Sequence, residues 1–230
     1  MSYEDTYVIV PAYNEASVLG GVIKELRESF PNVVAVDDGS TDRTAAVVRR
    51  SGATLVRHPL NLGQGAAIQT GIEYALKSSD ARYFVTFDAD GQHKPEDAKR
   101  MVDELRRDLE LDIVLGSRFI GTTEGMGHVK KALLKGAVLF NRVITGIRLS
   151  DAHNGLRAMR RRFASELDME QADMSHASEL VEVISQQGAR YKEMPVTIRY
   201  TDYSKRKGQS VFNSLNIAFD LILAKLSGKP

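Results

Sequence analysis

Apolar residues in the first half of the chain fall in short runs: Tyr7 to Val10, Val33 to Val36, Thr54 to Val56, Tyr83 to Phe87 and Ile113 to Leu115. These read as buried strands. Between them, 3.6-residue spacing predicts helices over Ala16–Ser29, Thr41–Arg50, Gln64–Lys77 and Pro95–Arg107. Ser40 is placed to cap the second helix, and Pro95 to open the fourth. Strand and helix in alternation imply an α/β domain with a mostly parallel central sheet and helices on both faces. After Gly127 the pattern changes to a basic helix over Lys130–Ile147, strands at Leu156–Arg160 and Val196–Tyr200, and a helix over Ser175–Gln187. No Pro/Gly/Ser-rich linker intervenes, so residues 1–210 read as one catalytic-sized domain. The last element, Val211–Leu226, is apolar apart from a stripe with Asn213, Asn216 and Asp220. It gives residues 211–230 the character of an amphipathic helix, suited to the core, to a membrane surface or to a partner.

In parallel sheets of this kind ligands bind beyond the carboxyl ends of the strands. Four polar clusters fall there: residues 11–15, 37–40, 88–92 and 116–118. Asp88 and Asp90 follow an apolar strand with one small residue between them, and Gln92 adds a third oxygen. That set suits Mg²⁺ or Mn²⁺ bridging a diphosphate, because Mg²⁺ takes one or two carboxylates and completes its octahedron with phosphate and water. The competing reading is an acidic turn whose carboxylates cap the helix at Pro95. Asp38 can accept hydrogen bonds from a ribose or base, or Asp38 to Asp42 can form a plain turn ahead of a capped helix. Tyr13 and Glu15 are either a base-stacking and base-bonding pair or ordinary loop residues. Arg118, after Gly116-Ser117, is either a bidentate phosphate clamp or a surface arginine. Asn61-Leu62-Gly63-Gln64-Gly65 lacks the Gly-Lys-Ser/Thr of a P-loop and reads as a tight loop into the third helix.

Composition narrows this little further. The 230 residues hold no cysteine, which excludes disulfides, thiolate catalysis and Cys-bound zinc. The acidic start has no apolar segment of a secretory signal, and no apolar run approaches the ~18 residues of a membrane span. The net charge of +1 hides an asymmetry. Residues 1–127 carry 14 Lys+Arg against 20 Asp+Glu, and residues 128–230 carry 17 against 10. The basic second half is either a surface for phosphates or lipid headgroups or a solvated face. Stacking aromatics are not interleaved with the basic residues, which argues against nucleic acid.

Val10-Pro11-Ala12-Tyr13-Asn14-Glu15, Val36-Asp37-Asp38-Gly39-Ser40-Thr41-Asp42, Asn61 to Gly65, Phe87 to Gln92 and Gly116-Ser117-Arg118-Phe119 stand in an order and spacing that resembles the family 2 glycosyltransferases. Within them the chain looks like the dolichol-phosphate mannose synthase and polyprenyl-phosphate hexosyltransferase group, over roughly residues 7–210. The resemblance implies the Rossmann-like GT-A fold. It places base and ribose on Pro11, Tyr13, Glu15 and Asp38, the metal on Asp88, Asp90 and Gln92, and phosphate on Arg118, with Asp90 and Arg118 as the catalytic pair. Later motifs match with substitutions. Asp151 to Arg157 has Leu156 where the family has Phe, and Glu193-Met194-Pro195-Val196 resembles its Glu-Val-Pro strand. Lys205 stands for Arg in the closing basic loop, and Lys130 for another phosphate-binding Arg. Lys130, Lys205 and Arg206 are thereby expected at the acceptor.

The implied reaction is an inverting transfer of a hexose from a UDP- or GDP-sugar to a polyprenyl phosphate, peripheral on the cytoplasmic face of a membrane, with a membrane-protein partner allowed for. The alternative is a soluble family 2 enzyme acting on an alcohol or saccharide. Alcohol acceptors call for a general base, often within a Glu-Asp pair. Between Asp168 and Gln187 the acids are Glu170, Asp173, Glu179 and Glu182, and none forms such a pair. A lipid phosphate, with a second pKa of ~6, is largely dianionic at neutral pH and needs no base. His176 and Glu179 are weighed as sugar contacts and read more simply as surface partners.

Overall fold

In a computed structural model of the chain, the residues described are 2–78, 80–124, 149–151, 154–169 and 176–199. The helices expected over Lys130–Ile147 and Val211–Leu226, and with them Lys130, Lys205 and Arg206, lie outside this set. The elements run β1 (Thr6–Ala12), α1 (Leu19–Arg27), β2 (Asn32–Asp37), α2 (Thr44–Ser51), β3 (Thr54–Arg57), α3 (Gln64–Leu76), β4 (Tyr83–Thr86), α4 (Pro95–Arg107), β5 (Ile113–Glu124), β6 (Arg157–Arg160), α5 (Arg161–Ala164), α6 (His176–Gln186) and β7 (Tyr191–Arg199).

They build a seven-stranded sheet ordered β3-β2-β1-β4-β6-β5-β7. Strands β1 to β4 are mutually parallel, and β5 is parallel to β7. The mostly parallel sheet is therefore as the sequence pattern implies, with one difference. β6, read from sequence only as a strand, lies antiparallel between β4 and β5. The chain therefore enters β6 at the end of the sheet where it leaves β5, whereas the helix-connected parallel strands cross back to the opposite end.

Alternation along each strand sorts side chains to two cores. Val8 and Val10 of β1, Val85 of β4 and Ala158 of β6 pack with Leu19, Ile23 and Leu26 of α1 and Met101, Val102 and Leu105 of α4. Ile9, Phe84, Ile113 and Met159 face the other way, against Ile68 and Ile72 of α3, Phe163 of α5 and Leu180 and Ile184 of α6. The α3 contact is close enough to demand glycine: a Cβ on Gly71 would lie 2.4 Å from Ile9 Cγ2. Among the described residues no helix is long and apolar enough to cross a membrane.

Three local readings need comment. α4 begins with Pro95 in its first turn, as expected, and takes its first-turn negative charge from its own Glu96 and Asp97. α1 starts three residues later than predicted, because Asn14 adopts a left-handed φ of 55° and the chain turns before the helix begins. Ser40 does not cap α2. That helix starts at Thr44, whose backbone N–H donates to Asp42 Oδ1 at 2.9 Å, while Ser40 Oγ accepts from Asn14 N at 2.9 Å. The carboxylate two residues nearer the helix takes the orphan donor, freeing the serine to join two strand ends.

Candidate active site

β1 lies between β2, β3 on one side and β4 on the other, so the order of connection reverses at β1 and opens a crevice at the carboxyl ends of these strands. Asn14 stitches the first two strand ends together. Its Oδ1 accepts from Thr41 N at 3.0 Å and Asp42 N at 3.3 Å. Glu15 is buried, with its N–H donating to Thr44 Oγ1 at 2.9 Å, and Pro11 is half-buried at the end of β1. Tyr13 is exposed.

Asp37 and Asp38, at the end of β2, are both buried. Asp37 Oδ1 accepts from Ser40 N at 3.0 Å. Its Oδ2 lies 3.1 Å from Arg57 Nε, an ion pair in which that oxygen receives no well-aligned hydrogen bond. Asp38 accepts from Leu62 N and Gly63 N, each at 2.9 Å, and from His58 Nδ1 at 2.7 Å. His58 in turn meets Thr70 Oγ1 through Nε2 at 3.0 Å, which fixes the ring. Asp38 thus binds the loop that begins α3. Gly39 makes the approach feasible, with φ of 71° and a Cβ position only 2.4 Å from the Leu60 carbonyl carbon.

The end of β4 is different. Asp88 Oδ1 accepts from Gln64 Nε2 at 3.2 Å and Oδ2 from His93 Nε2 at 2.9 Å, yet its side chain stays 30% exposed. Asp90 accepts from Gln92 N at 3.0 Å and from Gln92 Nε2. Burial raises the Asp90 carboxyl above its ordinary range and the neighbouring Asp88 charge raises it further, against the Gln92 hydrogen bonds and His93. Two carboxylates that disfavour each other's ionisation have a use for a cation. Among the described residues no three His, Asp or Glu side chains form a closed metal cage. An open two-carboxylate set fits Mg²⁺ or Mn²⁺ that arrives with phosphate and water ligands. As placed, the Gln92 amide nitrogen, not its oxygen, faces Asp90. His93, buried and edge-on to Phe87 at 5.6 Å, orients Asp88. Its adjacency to Gln92 is the only sequence signal for it.

β5 contributes Arg118. Its backbone N–H and Nε both donate to Asp151 Oδ2, at 3.0 and 2.6 Å, and its side chain is 12% exposed. It is therefore not a solvated surface arginine. Glu193 of β7 holds the turn carrying Asp151, accepting from Ser150 N at 2.8 Å, Ser150 Oγ at 2.9 Å and Asp151 N at 3.1 Å. Ser150 Oγ also meets Ser117 Oγ at 2.6 Å. Asp151, Glu193 and Arg157 belong to motifs visible in the sequence, but their partners were not. The segment before β6 closes on β4: Thr86 Oγ1 donates to Gly155 O at 2.6 Å, and a Cβ on Gly155 would meet the Asp88 carboxylate at 2.3 Å. Arg157 is buried beside it, its pKa pushed down to about 10 by desolvation while Asp88 and Asp151 pull it up. Asp88, Asp90, Arg118 and Asp151 thus share one rim. Tyr13, Glu15 and Asp38 follow β1 and β2, Glu15 and Asp38 buried.

A protein of Methanocaldococcus jannaschii, named only as uncharacterised, is 34% identical over 97% of this chain and 93% of its own. The UDP-N-acetylglucosamine–dolichyl-phosphate N-acetylglucosaminyltransferase of Methanococcus voltae is 28% identical, with 96% of each chain covered. Among solved structures, Mycobacterium tuberculosis glucosyl-3-phosphoglycerate synthase superposes with a TM-score of 0.70 at 19% identity, covering 98% of this chain and 81% of that one. That enzyme has also been crystallised with Mn²⁺ and UDP-glucose. The sheet order and strand-end clusters agree with a match of residues 7–168 to the model for glycosyl transferase family 2, and the chain is a glycosyltransferase belonging to that family.

Proposed function

We propose that the chain transfers a hexose from a nucleoside-diphosphate sugar to a polyprenyl phosphate, working peripherally at the cytoplasmic face of a membrane. The observation that carries the donor half is the Asp88–Asp90 pair at the end of β4, with Asp90 disfavoured as an anion by burial and by Asp88, and Arg118 after β5's Gly116-Ser117. Those two carboxylates would hold Mg²⁺ or Mn²⁺, which supplies charge neutralisation at the diphosphate. Pro11, Tyr13, Glu15 and Asp38 stand where the nucleoside would lie, Tyr13 offering its exposed ring to the base and Asp38 shaping the wall through the 61–63 loop.

An oxygen of the lipid phosphate attacks the anomeric carbon, the bond from that carbon to the diphosphate oxygen breaks, and the nucleoside diphosphate leaves. Arg118 meets the charge that develops on the leaving group. The acceptor half is supported by the dolichyl-phosphate enzyme among the relatives, and by the basic residues Lys130, Lys205 and Arg206 of the sequence, suited to an anionic acceptor and its headgroup surface.

The test is transfer of labelled sugar from a panel of UDP- and GDP-hexoses to polyprenyl phosphate in detergent or vesicles, against free sugars and phosphoglycerate as acceptors, with Mn²⁺ or EDTA. Lipid-linked product that requires the metal is expected. Transfer only to a soluble hydroxyl acceptor would overturn the lipid assignment, and full activity in EDTA would overturn the metal.

A further inference from the structure

Arg157 opens β6, registered between Thr86 of β4 and Leu115 of β5. It is 3% exposed. Strand alternation puts Arg157 on the Met159 side of the sheet, and Asp88, two residues beyond Thr86, on the same side, where Gln64 of α3 reaches it. The Gly155 backbone lies against the Asp88 carboxylate, so β6 brings Arg157 to the Asp88 side of the site. Among the described residues its guanidinium donates a single hydrogen bond, from Nε to Asn154 O at 3.1 Å. Its electrostatic partners are Asp88 and Asp151.

Such an arginine stays charged at neutral pH. Of the three rim carboxylates, Asp151 is engaged by Arg118. Asp88, of the remaining pair, then has a fixed buried cation as its partner, and a dication approaching alone must bind against it. A diphosphate brings enough negative charge to reverse that balance.

From this arrangement we infer that Arg157 is a positioning residue that serves as a built-in counter-cation, keeping a divalent metal off Asp88 and Asp90 until a nucleoside diphosphate arrives with it. The inference rests on the donor-site reading given under Proposed function. Metal and donor then bind as one unit, and the metal-free pocket keeps Asp88 and Asp151 compensated rather than buried as bare anions.

The experiment is a Mn²⁺ titration of the full chain, followed by electron paramagnetic resonance of free Mn²⁺, without nucleotide and with saturating UDP or GDP. For wild type, a nucleoside diphosphate should tighten Mn²⁺ binding by about tenfold or more. R157M should tighten nucleotide-free Mn²⁺ binding by about tenfold and so narrow the difference, while R157K, which keeps the charge, should stay within about threefold of wild type. Should R157M fail to fold, R157Q, which also removes the charge but keeps a hydrogen-bond donor for the Asn154 carbonyl, makes the same comparison. Equal Mn²⁺ affinity of wild type with and without nucleotide overturns the inference, as does a folded R157M with unchanged Mn²⁺ affinity. Absence of any nucleoside diphosphate binding in Mn²⁺ overturns the donor-site reading and this inference together, a result distinct from the other two.

Discussion

Two pairs of aspartates end neighbouring parts of the sheet, and the protein treats them in opposite ways. Asp37 and Asp38 are 0% and 3% exposed and are met by protein donors: Ser40 N, Arg57, Leu62 N, Gly63 N and His58. Asp88 and Asp90 sit half-open, and burial together with the Asp88 charge raises the cost of ionising Asp90. A carboxylate pair satisfied by backbone N–H groups is a scaffold that shapes a loop. A half-open pair at a crevice, one member of which burial and its neighbour disfavour as an anion, is built for a ligand that brings positive charge. Both pairs stand at the end of a buried strand, and residue type alone does not separate them.

This contrast can be broken by neutralising one carboxylate of each pair. The largest effect belongs to Asp90→Asn, expected to lower transfer by at least ~10²-fold. The folded-state pKa of Asp90 is raised, so its ionised form opposes folding as pH rises through that value, and ionisation no longer costs the folded state once Asn replaces it. The metal-free variant should therefore unfold at the same temperature as wild type or higher, as differential scanning calorimetry would register. A clear loss of thermal stability would return Asp90 to a structural role.

Asp38→Asn should do the reverse, lowering stability by about 1–3 kcal/mol because an amide NH₂ group would face donors where a carboxylate oxygen accepted them. Urea unfolding measures this, and an unchanged midpoint would show that the hydrogen bonds from Leu62, Gly63 and His58 to Asp38 do not stabilise the fold. Smallest is Arg57→Ala. Its side chain is 52% exposed, and solvent screens the pair with Asp37, so a loss of about 1 kcal/mol or less is expected in the same assay. A larger loss would mean that Asp37 depends on this ion pair more than on its Ser40 hydrogen bond.

The sequence carried the strand ends well, because a buried parallel strand is a short apolar run and the polar residues after it mark the rim. Pro95–Arg107 was legible to the residue, since a first-turn proline and helical spacing agree. What stayed hidden is what distant pairing decides. Arg118 meets Asp151 across 33 positions and Ser150 meets Glu193 across 43, both created by inserting β6 antiparallel between β4 and β5. No local pattern encodes that insertion. His58 and His93 were overlooked for a related reason: a histidine that orients a carboxylate has the same sequence appearance as one that packs against a ring, and His93 does both. At the start of α2 two candidate caps stand close in sequence, and it is Asp42 Oδ1 that accepts from the first helical N–H, of Thr44.

The most direct test of the opposed roles of the two pairs is isothermal titration of UDP and GDP into wild type, D90N and D38N, each with Mn²⁺ and with EDTA. Binding by wild type that requires Mn²⁺, its loss in D90N, and a metal requirement retained in folded D38N are the predicted results. Metal-dependent binding of wild-type strength in D90N would contradict the assignment of the cation to the end of β4.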